Sequence, residues 1–109
     1  MGGEPFGAQF KSGAMISFTA SLKLWRSDEG SSHFVTVPPE HAGEIKAHAL
    51  MVKRGFGSVK VEVRVDDVTW RTSIFPSKDG GYFLPIKIAV VRSTGKRESD
   101  LLEITMDLI

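Results

Sequence analysis

Strict alternation of apolar and polar side chains dominates this chain, and it predicts a protein built mostly of β-strands. Ile16, Phe18, Ala20, Leu22 and Leu24 share one parity, with Ser17, Thr19, Ser21 and Lys23 between them. Successive strand side chains point to opposite faces, so this stretch is expected as one half-buried strand. His33 to Val37 follows as a short β-branched strand, stopped by Pro38, which cannot donate to a sheet ladder. The cleanest strand is Ser58 to Val65: Val59, Val61, Val63 and Val65 face one way, and Lys60, Glu62 and Arg64 the other. If Asp66-Asp67 is a two-residue turn, Val65 meets Val68, Val63 meets Trp70, Val61 meets Thr72 and Val59 meets Ile74. Glu62 then lies opposite Arg71 on the outer face, so the register buries one face and pairs charges on the other. Tyr82 to Ile86 is a further strand, and its Pro85 puts it at an edge or ends it there. Leu102, Ile104, Met106 and Leu108 alternate with Glu103, Thr105 and Asp107 as the last strand.

The period changes between Pro39 and Arg54. Ala42, Ile45, Ala49 and Val52 recur as one helical stripe, and Leu50 and Met51 are expected to widen it. Pro39 suits a first turn, Glu40 and Glu44 lie at the positive end, and Lys53 and Arg54 lie at the negative end before Gly55. Lys87 to Ser93 stays ambiguous: Ile88, Val90 and Val91 favour a strand, while a helical turn also fits. The fold class expected is therefore mostly β: a small closed or partly open barrel of six to seven strands, capped by one α-helix at about residues 39–54. Residues 1–14 read as a flexible leader and residues 15–109 as a single barrel domain. Phe18 and Trp70 fall on apolar faces and are expected in the core. Trp25, Phe56, Phe75 and Tyr82 lie at strand ends or turns, where an exposed ring would bear on function.

Composition narrows the chemistry. The absence of Cys removes disulfides, thiolate metal sites and cysteine nucleophiles. No apolar run approaches the roughly 18 residues of a spanning helix, and Met1 to Gln9 lacks a secretory pattern, so a soluble cytoplasmic protein without membrane contact is expected. His41 and His48 lie too far apart along one helix to share a metal ion; Glu44 and His48 supply at most two ligands, and no metal or cofactor is expected. Gly55-Phe56-Gly57-Ser58 runs from helix into strand, the reverse of a dinucleotide fingerprint, and reads as a helix end plus a tight turn. No nucleophile elbow or spaced acidic pair appears, so no catalytic residue is assigned.

Charge is unevenly spread. Residues 46–97 hold eleven basic and four acidic side chains, whereas residues 98–109 hold four acids and no base. Lys60, Arg64 and Arg71 share the outward face of the derived hairpin, with Glu62 among them. Such a face attracts phosphate or nucleic acid. The leading expectation is a non-catalytic binding or interaction module with an anion-preferring surface. Arg54, Ser58, Arg71 and Lys87 are its candidate ligand residues, offering charge-assisted donors to a small anionic ligand. Two rivals stay open. One is an enzyme with a polar pocket of Ser58, Thr72, Ser73 and Lys87, in which a desolvated lysine activates a hydroxyl. The other is a dimer joined through a barrel edge, with nucleic acid as its partner.

Five short motifs in order also carry a family likeness: Phe34-Val35-Thr36-Val37-Pro38, Arg54-Gly55-Phe56-Gly57-Ser58-Val59, Trp70 to Pro76, Gly81 to Lys87, and Val90-Val91-Arg92. Together they resemble the bacterial family catalogued as domain of unknown function 1905, from about Phe18 to Leu108. The resemblance implies a capped small β-barrel and no established activity or cofactor. Two departures concern turns: Asp66-Asp67 stands where relatives have Gly-containing hairpins, and Ser99-Asp100 where the family pattern runs Gly-Asp. Leu84 to Ile104 is also similar, more faintly, to the half-barrel of swapped-hairpin transition-state regulators, which bind DNA as dimers.

Overall fold

The computed structural model describes residues 15–52 and 57–109. The leader, and Lys53 to Phe56 with the Arg54 candidate, lie outside the described residues. The described residues form seven strands: β1 (Met15–Ser21), β2 (Lys23–Ser27), β3 (Gly30–Val37), β4 (Val59–Val65), β5 (Val68–Pro76), β6 (Tyr82–Ile86) and β7 (Leu101–Leu108). They are hydrogen-bonded in the order β1-β7-β4-β5-β6-β3-β2, every pair antiparallel. The Asp66-Asp67 hairpin adopts the register that the alternation predicts, from Val65↔Val68 to Val59↔Ile74.

The stretch from Ile16 to Leu24 is not one strand. It breaks at Leu22, and its halves become the two ends of the strand order. Alternation continues through the break, which is why the pattern hides it. Leu22 is buried and is gripped from both sides: its N–H donates to Asp100 O at 2.8 Å, and Ser99 N–H donates to Leu22 O at 2.7 Å. A second corner lies in β5. Its residues to Ile74 pair with β4, while Phe75 and Pro76 pair with Phe83 and Tyr82 of β6. These two corners fold the ladder into a partly open barrel. Pro85 pairs with Phe34 of β3, and the β5 ladder ends at Phe83, so a residue without an N–H has a strand on one side only.

The inward parities of all strands meet in one core. Val35, Val61, Val63, Ile74, Leu84 and Met106 have no exposed surface, and Leu102 and Ile104 are nearly as buried. Trp70 is only half-buried against this core, and its indole N–H has no hydrogen-bond partner among the described residues. Phe18 likewise packs on the core from its margin.

Among the described residues, two helices replace the one expected. A 3-10 turn at Pro39–His41 leads into α1 (Ala42–Val52), which drives Ile45 fully into the core. Leu50 and Met51 do not widen its apolar face; they are exposed, because the buried stripe runs through Ile45 and Ala49. The ambiguous segment is α2 (Ile88–Thr94), not a strand. Val90 and Val91 are its buried residues, and Gly95 ends it at φ 70° with its N–H on Val91 O. Adjacent residues on one buried side suit a helical turn, since a strand would have pointed them apart.

The two turns that depart from the family pattern both need left-handed backbone. Asp66 has φ 54° and Ser99 φ 79°, the two positive-φ non-glycine residues among those described. At Ser99 the backbone keeps the shape that glycine gives without strain.

Candidate functional site

Where β3, β6 and the start of α2 meet, the barrel mouth opens into a groove of about 520 Å³. Ser31, Ser32 and His33 line it from β3, Thr72 from β5, and Pro85, Ile86, Lys87 and Ile88 from the β6–α2 junction. Pro85 and Ile86 end β6, and Lys87 stays extended at φ −63°, ψ 145° before the helix begins. Its carbonyl accepts from Val90 and Val91 N–H at 2.9 and 3.1 Å, which fixes the backbone and leaves the exposed side chain free at the rim. Seryl and threonyl hydroxyls, one imidazole and one ammonium supply donors here, and among the described residues no carboxylate lines the groove.

A second, apolar hollow of about 280 Å³ adjoins it, lined by Trp25, Phe34 and Phe83 together with Ser32, His33 and Pro85, the last three shared with the mouth. Its rings point outward because they occupy the parity opposite to the core. Phe34 alternates with buried Val35, and Phe83 lies between buried Tyr82 and Leu84. The centroids of Phe34 and Phe83 are 6.0 Å apart, edge to face, and Phe75 adds a third ring 5.6 Å from Phe83. Trp25 is 67% exposed. Sequence reasoning singles out Trp25 and Phe75 but misses Phe34 and Phe83. The missed signal is their parity: an aromatic ring out of phase with flanking core residues faces solvent. Tyr82, in phase, is buried rather than presented.

The candidate residues read from sequence separate. Lys87 lines the mouth. Arg71 lines a neighbouring hollow of about 410 Å³ with Lys60, Ser73 and Ile109, and Thr72 borders both hollows. Arg71 Nε stands 3.7 Å from Glu62 Oε2, both side chains well exposed. Ser58 is half-buried just before β4 and lines neither hollow. Of the candidates within the described residues, Ser58, Arg71 and Lys87 line no common hollow. Nor do Ser58, Thr72, Ser73 and Lys87 converge as a catalytic pocket, and Lys87 is exposed where a lysine base needs desolvation.

The basic hairpin face is diluted by a strand that the sequence does not place. β7 pairs along the other side of β4, setting Asp107 opposite Glu62. Glu103 shares its outward parity, so Lys60, Arg64 and Arg71 are matched by Glu62, Glu103 and Asp107. The aromatic sheet differs: Lys23 shares the face of Trp25 and Phe34, and no acid occupies an outward position in β2, β3 or β6.

The histidines disperse as well. His33 lines the mouth, His41 packs near the Phe18 ring with centroids 6.1 Å apart, and His48 Nε2 donates to Ile109 O at 3.0 Å. Among the described residues no group of three His, Cys, Asp or Glu could hold a metal ion, and no helix is long and apolar enough to cross a membrane.

No curated protein matches the chain. A family model matches residues 18–106, which takes in nearly all of the barrel, and the chain belongs to the family described as Domain of unknown function (DUF1905).

Proposed function

We propose that this protein is a non-catalytic binding module that receives an anionic group at the barrel mouth. The observation that carries the reading is the lining of the 520 Å³ groove, which among the described residues holds one lysine, one histidine and three hydroxyl side chains, with no carboxylate. Its volume falls in the range of small-ligand sites, about 300–1,000 Å³. Lys87 is the charged donor, and Ser31, Ser32 and Thr72 supply neutral ones. Arg71 is a poorer receptor, because Glu62 already faces its guanidinium.

Titration with pyrophosphate, followed by amide NMR and calorimetry, tests the proposal. Shifts are expected at Ser31 to His33, Thr72 and Lys87. Lys87→Ala is expected to weaken binding by about 1.5–3 kcal/mol, as loss of a charged hydrogen bond does, while Arg71→Ala leaves it unchanged. Binding that ignores Lys87→Ala, or shifts centred on Arg71, would refute it.

A further inference from the structure

We infer that the anionic ligand is single-stranded nucleic acid, whose bases stack on the aromatic hollow beside the mouth while its phosphates reach the mouth itself. This rests on the anion-binding reading above and extends it to the adjoining surface. An antiparallel sheet with one face in the core normally turns polar side chains to water on the other. Here outward positions on four neighbouring strands carry Trp25, Phe34, Phe83 and Phe75 instead. The three phenyl rings are linked at 6.0 and 5.6 Å, and Trp25 walls the hollow with 67% of its surface exposed.

Charge decides the occupant. An apolar peptide would need only the rings. This face adds cations without acids: Lys23 stands beside Phe34 in the β2–β3 ladder, and Lys87 follows directly on the end of β6. The acids in the connections of this sheet, Asp28 and Glu29 between β2 and β3 and Asp79 between β5 and β6, lie in turns and not on the strands that carry the rings. The other sheet mixes both signs equally and offers no rings on its outward positions. A surface that places ring platforms next to cations matches a polymer that alternates bases with phosphates. A duplex seals its bases inside the stack, whereas a single strand exposes a π-face on every base.

The test uses fluorescence anisotropy with a labelled oligothymidylate of about ten nucleotides, at about 50 mM salt. Its duplex and inorganic polyphosphate serve as comparison ligands. Trp25 is largely exposed, so Trp25→Ala preserves the fold, which circular dichroism verifies. Trp25→Ala is expected to weaken the oligonucleotide about 5- to 150-fold, the loss of one stacked base, and to leave polyphosphate unchanged. Trp25→Phe restores most of the affinity, and Lys87→Ala weakens both ligands. Duplex binding as tight as the single strand, or an oligonucleotide affinity indifferent to Trp25→Ala, overturns the inference. Polyphosphate binding with no oligonucleotide binding also overturns it while sparing the anion reading. Failure of both ligands removes the two together.

Discussion

Leu22→Ala tests the corner that closes the barrel. Leu22 is 1% exposed and joins the strands at opposite ends of the sheet order. The substitution removes three buried carbons, and at about 0.8 kcal/mol each that forfeits about 2.4 kcal/mol of transfer free energy. A cavity term adds to this where the surroundings cannot collapse, and core Leu→Ala changes cost about 2–5 kcal/mol in all. Collapse is opposed here, because Asp100 O and Ser99 N–H hold the Leu22 backbone at 2.8 and 2.7 Å. The expected loss is therefore about 3–4 kcal/mol, a large share of the roughly 5–15 kcal/mol that stabilises a small domain. At about 4–8 °C per kcal/mol, the melting temperature should fall by about 12 °C or more. Urea denaturation followed by far-ultraviolet circular dichroism measures the loss, and hydrogen exchange at the Leu22 and Ser99 amides locates it. Leu24→Ala is the control, because Leu24 shares the inward parity but is only half-buried. A loss below about 1 kcal/mol for Leu22→Ala, or an equal loss for both variants, would refute the account of the corner.

Two further outcomes follow from the turns. Ser99 sits at φ 79°, so Ser99→Gly should relieve left-handed strain and stabilise by about 0.5–1 kcal/mol; a lower melting temperature would count against it. Asp79 Oδ1 accepts from Ser77 Oγ at 2.6 Å and Gly81 N–H at 3.0 Å, and these bonds hold its carboxyl below the ordinary value of 3.8. A lowered folded value stabilises the turn above the unfolded value and is lost as pH falls through the folded one. The Gly81 amide resonance should therefore titrate with a midpoint under 3.8, and a midpoint at or above it would contradict the bonding.

The local pattern was enough for the strands. Val59 to Val65 and Val68 to Ile74 have a period of two, and a one-residue slip would turn every valine to water, so register and turn were both written in the chain. The helix at Ala42 was legible from Pro39 in the turn that leads into it and from the stripe of Ile45 and Ala49. The break at Leu22 was not, because bending a strand need not disturb its parity. It takes the pairing of β1 with β7 and of β2 with β3 to show that the two halves belong to opposite edges. The segment from Ile88 to Thr94 was open for the opposite reason: β-branched residues suit a strand, and only packing on the core selects the helix that buries both Val90 and Val91.

The site shows the same division. Its residue types were visible one by one, but a charge is basic or balanced according to its neighbours, and those come from distant strands. β7 sets Asp107 beside Glu62 and offsets the hairpin cations. β3, β5 and β6 gather Phe34, Phe75 and Phe83, forty or more positions apart from first to last, into one outward patch next to Lys87. Periodicity tells each side chain whether it faces in or out. Only the order of strands in the closed sheet determines what it meets there.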